Sequence, residues 1–248
     1  MYFSPTGGVK KVMDILAKEI HVDGEIDLAA RDGGYEARVF RAEDLCLIGV
    51  PSFGGRVPGV ALERMRQTRA DGAAAVLVVV FGNRAYDDTL PELKNEASGC
   101  GFSVGAAITA VAEHSIMRQF AAGRPDEADE AELRRFAREI AQRNEGGKLA
   151  KGLTVPGSEN YKEYKGVPLR PKAGRACVKC GLCAEKCPVG AIPRDNPASA
   201  DAGKCISCMR CASVCPKGAR RLNKAALFAV SQVMKKALAG RKPNELFM

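Results

Sequence analysis

The chain has no tryptophan and only two histidines in 248 residues, and aromatics make up 6% of it. A tryptophan stacked on a ligand ring is thereby excluded. Long apolar runs are missing too: the longest uncharged one, residues 73–81, has nine residues. A membrane-spanning helix needs roughly 20, so the expectation is a protein with no membrane insertion. No charged segment followed by an apolar stretch and a small-residue cleavage site opens the sequence, and a cytoplasmic location is expected. A G-x-G-x-x-G fingerprint is absent from every strand-to-helix position, which disfavours a Rossmann site for NAD(P)H. No constellation of acid, base and nucleophile stands out, which favours a carrier over a substrate-transforming enzyme.

Cysteine, by contrast, is plentiful and unevenly placed. Of ten cysteines only Cys46 and Cys100 precede residue 177, and the other eight lie within 177–215. Without an export signal, such usage points to metal or redox chemistry over disulfides, because cytosolic thiols are kept reduced. Charge shifts near the same point. Residues 1–150 carry 19 Lys+Arg against 23 Asp+Glu, a balance of −4, and residues 151–248 carry 19 against 6, a balance of +13. Between them, residues 146–171 hold Gly146-Gly147, Pro156-Gly157, Gly166, Pro168 and Pro171 with no sustained periodicity, as an irregular connector would. The expected organisation is a large domain over 1–148, a linker over 149–172, a small domain over 173–220, and a C-terminal helix and tail over 221–248.

The eight clustered cysteines form a duplication. Cys177, Cys180, Cys183 and Cys187-Pro188 are followed by Cys205, Cys208, Cys211 and Cys215-Pro216, each run spaced C-x2-C-x2-C-x3-C-P. Three thiolates at i, i+3 and i+6 can wrap three corners of a cube, while the fourth, before a Pro, is directed to the other cluster. One 4Fe-4S cluster then takes Cys177, Cys180, Cys183 and Cys215, and the second takes Cys205, Cys208, Cys211 and Cys187. Zinc knuckles also use C-x2-C pairs, but close on four ligands, often with His, at other spacings. Gly190-Ala191 and Gly218-Ala219 follow the two runs, either to let backbone amides reach cluster sulfurs or as simple turn packing. Cys46, in the apolar run 45–50, reads as a buried small hydrophobe. Over residues 175–220 the chain resembles the bacterial two-cluster ferredoxins.

Residues 1–148 alternate apolar runs with amphipathic stretches, the pattern of parallel strands joined by helical crossovers. Strands are expected over 25–29, 45–50, 74–81 and 102–111. Val9, Val12, Met13, Leu16 and Ile20 repeat at helical spacing, as do Val60, Leu62 and Met65, and later Leu133, Phe136 and Ile140. Asp126, Glu127, Asp129 and Glu130 suit the N-terminal dipole of the last helix. In open α/β sheets ligands bind beyond the carboxyl ends of the strands, and three loops there carry signal. Ser4-Pro5-Thr6-Gly7-Gly8 offers two hydroxyls and unobstructed amides at a helix start, a phosphate cradle or simply a cap. Pro51-Ser52-Phe53-Gly54-Gly55-Arg56-Val57-Pro58 and Gly82-Asn83-Arg84-Ala85-Tyr86-Asp87-Asp88 each display one aromatic.

A flat ring gripped by two loops and a phosphate held by a third resembles the flavodoxins. The order of the parts is similar to the flavodoxin-ferredoxin fusion proteins of anaerobic bacteria and methanogens, including His114-Ser115 and Asn244-Glu245-Leu246-Phe247. The resemblance implies a flavodoxin-like open parallel sheet of strand order 2-1-3-4-5 and a small α+β ferredoxin domain with two 4Fe-4S clusters. It implies FMN at Ser4, Thr6, Gly7, Gly8, Val9, Pro51, Phe53, Gly54, Gly82, Asn83 and Tyr86, where Val9 replaces the family's usual Thr and offers only its amide. Met1-Tyr2-Phe3 is short for an interior first strand of about five residues, so either residues precede it or the sheet is incomplete. Phe53 and Tyr86 also read as half-buried aromatics, His114 as a proton relay or a structural histidine, and Arg56 and Arg84 as flavin-neutralising or solvated.

Clusters pass single electrons, whereas FMN holds one or two and takes protons. The expected function is an electron-transfer flavoprotein working with an acidic redox protein. The alternative is a flavin-dependent reductase of a quinone or dioxygen. The +13 half also raises nucleic-acid binding, but Lys217, Arg220, Arg221, Lys224, Lys235, Lys236, Arg241 and Lys242 read better as a solvated or docking face. The helix bearing most of them would pack through Leu227, Val230, Met234 and Leu238.

Overall fold

The computed structural model describes residues 1–35, 38–146, 149, 152–164 and 166–248. After a short extended segment at Tyr2, the large domain runs through α1 (Gly8–Leu16), β1 (Val39–Phe40), β2 (Leu45–Pro51), α2 (Gly59–Met65), β3 (Arg69–Ala70), β4 (Ala74–Phe81), α3 (Thr89–Gly99), β5 (Ser103–Val111) and α4 (Glu127–Glu145). The rest of the chain adds β6 (Lys172–Ala173), α5 (Leu182–Glu185), α6 (Arg210–Ser213), β7 (Arg220–Arg221), α7 (Lys224–Met234) and β8 (Glu245–Phe247).

The central sheet has the order β2-β4-β5-β8. Leu45 pairs with Ala74 and Ala74 with Ser103, so β2, β4 and β5 are parallel, as strands linked by helical crossovers must be. Beyond β2 the sheet continues through single bridges. Tyr2 pairs in parallel with both Gly49 and Asp27, with Phe3 N–H donating to Gly49 O at 2.8 Å and Leu28 N–H to Tyr2 O at 2.7 Å. The stretch 25–29, expected as a strand, makes only this one bridge. At the other edge the expectation of an all-parallel sheet is corrected. β8, from the C-terminus, pairs antiparallel with β5 at Ala107↔Phe247 to Thr109↔Glu245 and makes the sheet mixed.

Strand residues alternate between two apolar layers, following the period of two. Ile48, Val50, Leu77 and Val79 face α2 and α3 through Leu62, Met65, Leu90 and Leu93. Val76, Val78, Ile108 and Ala110 face α1 and α4 through Val12, Leu16, Leu133, Phe136 and Ile140. Burying each such side chain contributes roughly 1.5–3 kcal/mol. α4 starts in a capping box, with the Asp126 carboxylate accepting from Asp129 N–H and the Asp129 carboxylate from Asp126 N–H. α3 was not expected, although Leu90, Leu93 and Ala97 carry helical spacing and are fully buried. No helix among the described residues is long and apolar enough to cross a membrane.

The connector does not swing free. Ser158 and Lys162 donate their amides to the two carboxylate oxygens of Asp88 at 3.1 and 2.9 Å, and Leu153 enters the core. The connector thus lies against the loops after β2 and β4, and brings the small domain to the carboxyl edge of the sheet.

Candidate functional site

The two cysteine runs adopt one backbone twice, 28 positions apart. Lys179 and Ser207 are left-handed at φ 55° and 53°, Gly181 and Met209 at 80° and 63°, Gly190 and Gly218 at 62° and 54°. The one-turn helices α5 and α6 follow at equivalent places. A left-handed residue on each side of the middle cysteine coils the three-thiol turn so tightly that Lys, Ser and Met accept a conformation usually left to Gly or Asn. At the end of each run the chain turns back on its last cysteine. Ala191 N–H donates to Cys187 Sγ at 3.3 Å and Ala219 N–H to Cys215 Sγ at 3.2 Å. The small residues after both runs therefore do bring amides to sulfur.

Cys183 and Cys187 share a small apolar cluster with Ala184, Ala191 and Ile192, against which Cys205 and Cys211 pack. Burial pushes the Cys208 thiol up to about 12, with Cys211, Cys187 and Cys205 adding to the effect. Burial likewise raises Cys211 to about 11, against the lowering charge of Arg220, with Cys205, Cys187 and Cys183 adding. Cys187 thus lies among the thiols of the following run rather than with its own alone. Cys215 is the opposite case. Burial opposes its ionisation, but the amides of Arg220, Ala219 and Lys217 and the Arg220 charge outweigh it and hold the thiol below its ordinary value. Among the described residues no three His, Cys, Asp or Glu side chains are gathered to hold a single metal ion. Two buried side-chain nitrogens lack a partner there, Arg210 Nε and Arg220 Nε, each on an arginine beside the second cysteine run. Donors left without an acceptor suit a site whose missing acceptors are anionic sulfurs.

At the sheet's carboxyl edge two cavities adjoin. The smaller, about 80 Å³, is lined by Ser4, Thr6, Gly8, Val9, Pro51, Phe53, Gly82, His114 and, from the small domain, Cys208. The amides of Thr6, Gly7, Gly8 and Val9 form no hydrogen bond to other described residues. Ser4 Oγ accepts from Lys10 N–H at 2.8 Å and so also caps α1. The larger cavity, about 280 Å³, is bounded by Phe53, Gly54, Gly82, His114 and Met117, by Tyr164 of the connector, by Ile206 and Ser207, and by Val230 and Met234 of α7. Its size lies near the roughly 300 Å³ lower end of ligand pockets. Gly7, at φ 91°, turns the chain into α1.

Asn83 and Tyr86 are not brought to these cavities. Asn83, 3% exposed, donates through Nδ2 to Leu238 O and Gly240 O at 2.8 and 2.7 Å, binding the tail. Tyr86 packs edge-on against Phe81 and its hydroxyl donates to Glu245 at 3.1 Å. Arg56 neither faces the cavity nor is solvated: Glu92 takes its Nε and Nη2 at 2.9 and 2.6 Å, also accepts from Val57 N–H, and so fixes the glycine-rich loop. Arg84 pairs with Asp87. His114 is half-buried, and its Nδ1 accepts from the Ile116 and Met117 amides, both at 3.2 Å, so Nε2 carries the proton of the neutral ring. Cys46 is 4% exposed in the core, as expected. The cavity walls from Tyr164, Ile206, Ser207, Cys208, Val230 and Met234 were not foreseen, because no local pattern tells which face of the small domain meets the sheet.

Residues 176–219 match the family model of a 4Fe-4S dicluster domain. No curated protein and no solved structure matches the chain. The stretch is a 4Fe-4S cluster-binding domain, and the chemistry it brings to the chain is iron-sulfur electron transfer.

Proposed function

We propose that the chain is an electron-transfer flavoprotein, in which two 4Fe-4S clusters exchange electrons with an acidic redox protein on one side and FMN on the other. The observation that carries this reading is the position of the second cysteine run. Ile206, Ser207 and Cys208 wall the cavities that the three sheet-edge loops enclose. A cluster-binding turn that forms part of a ligand cavity serves electron exchange with that ligand. The clusters would be held by Cys177, Cys180, Cys183 and Cys215 and by Cys205, Cys208, Cys211 and Cys187, with Cys187 packed in the small apolar cluster that Cys205 and Cys211 adjoin.

The flavin suits what the sheet edge offers. Four unengaged amides at the start of a nine-residue helix, beside Ser4 and Thr6, match a phosphate. The larger cavity, with Phe53, Met117, Tyr164, Val230 and Met234 on its walls, matches an aromatic ring system. When bound, FMN supplies the step between one-electron and two-electron carriers. Around it Phe53 and Tyr164 would orient the ring, α7 would exclude water, and His114 would hold a proton on Nε2. The strand order Asp27, Tyr2, β2, β4, β5, with the strands named by position, follows the 2-1-3-4-5 path of a flavodoxin-like sheet. The proton on His114 also favours a second reading, in which a small acceptor such as a quinone or dioxygen is reduced at the same cavity.

Anaerobic purification tests the proposal. Iron and sulfide near eight per chain are expected, with one FMN and structured flavin bands over a broad cluster absorption. Two zinc ions without sulfide would refute the clusters. A chain that holds iron and sulfide but binds no added FMN would refute the flavin. Turnover of quinone faster than transfer to a protein carrier would select the reductase.

A further inference from the structure

The two cysteine runs share backbone and spacing, yet the protein surrounds them differently. Val178, which follows the first cysteine of the first run, is 61% exposed, and Lys179 and Cys180 are exposed with it. At the equivalent positions of the second run Ile206 packs against the large-domain core, Ser207 is 4% exposed and Cys208 8%. Ser207 Oγ donates to Val167 O of the connector at 2.9 Å. Arg210, where the first run has Leu182, reaches across to the Ser4 carbonyl at 3.4 Å and to Asp27 at 3.8 Å. Met209, where the first run has Gly181, is 4% exposed. These departures seat the turn around Cys208 on the large domain, whereas Val178, Lys179 and Cys180 of the first run stay exposed and that run meets the large domain past Cys187, where Arg64 Nη2 donates to Pro188 O at 2.6 Å.

We infer that the clusters are ordered. The one held by Cys205, Cys208, Cys211 and Cys187 stands next to the flavin cavity, and the one held by Cys177, Cys180, Cys183 and Cys215 meets the redox partner. The inference rests on the flavin reading above. The outer position is supported separately by an open groove of about 1,010 Å³ lined by Arg170, Lys172, Arg175, Ala176, Ala219 and Arg221. Ala176 precedes Cys177, and the Ala219 amide is bonded to Cys215 Sγ. Arg170, Lys172, Arg175 and Arg221 are exposed and no acidic residue lines the groove. With clusters bound, the outer thiolate set would hold the one that takes a single electron from a reduced carrier protein, and the inner set the one from which that electron leaves for the flavin. For each flavin reduced, two carriers are oxidised and two protons are taken from solvent; reversal gives the opposite direction.

The duplication supplies its own test. Lys179 and Ser207 have the same left-handed backbone, so each position tolerates the other's residue. In the full chain, Ser207→Lys and Lys179→Ser should both retain iron near eight. FMN titration should show affinity weakened on the order of tenfold or more in Ser207→Lys, where an ammonium is forced against the cavity, and unchanged in Lys179→Ser. Cys180→Ala and Cys208→Ala should each keep about half the iron. Bound-FMN emission, quenched by the neighbouring cluster in the parent chain, should stay quenched in Cys180→Ala and recover in Cys208→Ala. Should the cysteine variants fail to fold, the Ser207 and Lys179 pair decides alone. Flavin bound but affected alike by both members of a pair overturns the order and leaves the flavin reading standing. No FMN bound by the parent chain overturns both.

Discussion

His114 shows how much chemistry a single loop residue acquires from its backbone surroundings. Two amides fix Nδ1 as the acceptor, and the ring lies so close to Gly82 that a Cβ there would come within 2.8 Å of it. Burial lowers its pKa from 6.5, and the Arg84 charge acts in the same direction. The folded chain therefore keeps His114 neutral at a pH where the unfolded chain protonates it. Its contribution to stability is whole above pH 6.5 and is lost as pH falls from there toward the lower folded value. In a proton NMR titration the His114 ring should show its midpoint below 6.5, and His114→Asn should flatten the stability slope over that window. A ring titrating at 6.5 or above contradicts the buried placement. Sequence could name His114, since it follows a strand, but not its tautomer, which depends on two loop amides. Asn83 and Tyr86 were out of reach for a related reason. Both face a tail more than 150 residues away, and nothing near them in sequence announces it.

At the level of elements, one carboxylate ties α4, the loop before it and the C-terminal strand together. Asp129 is 1% exposed. It accepts from Arg124 Nε and Nη2 at 2.8 and 2.6 Å, from Asn244 Nδ2 at 2.9 Å and from Arg241 Nη2 at 2.9 Å. Asn244 Oδ1 in turn accepts from Val111 N–H at 2.9 Å, at the end of β5. Burial opposes the Asp129 charge, but these donors outweigh it and hold the carboxyl below its ordinary range. Asp129→Asn leaves Arg124, 7% exposed, without its counter-ion, a loss of about 3–5 kcal/mol for a broken buried pair. Denaturant unfolding should show a large fall in stability, and amide exchange should quicken at residues 107–109, which β8 covers. Unchanged exchange there would mean that β8 is held by the strand ladder alone. The long strands and α4 were legible from their periodicity and acidic start. A three-residue strand has no period to read, and β8 became visible only through the partners of Asp129 and Asn83.

For the molecule as a whole, the opposed charges of −4 and +13 are partly spent inside the fold. Arg241 pairs with Asp126 and Asp129, and Arg210 approaches Asp27, so basic residues do hold the two parts together. Arg220, expected on a docking face, is instead 3% exposed and donates to the carbonyls of Pro197, Ser199 and Pro171. Lys217, Lys224, Lys235 and Lys236 remain exposed, and so does the groove of Arg170, Lys172, Arg175 and Arg221. There Lys172 stands directly opposite Arg221 in the β6-β7 pair. Like charges directly opposite across strands are destabilising, and an anionic occupant, in the proposed function the acidic face of the redox protein, would offset that cost. Steering by such a face is screened beyond about 8–10 Å at physiological salt, whereas contacts within one chain keep their high effective concentration. Reduction of the clusters by an acidic ferredoxin should therefore slow several-fold between low salt and about 0.5 M, while transfer between clusters and flavin within the chain changes little. Arg170→Glu, Lys172→Glu and Arg175→Glu together should reproduce the salt effect at low ionic strength, and with Arg221 left in place they turn the like-charge pair into an opposite-charge one. Arg220 stays out of that set, because its reversal would unmake the fold around the second cysteine run. A reduction rate indifferent to both salt and the triple reversal would place the partner on another surface, with the groove then serving neither steering nor docking.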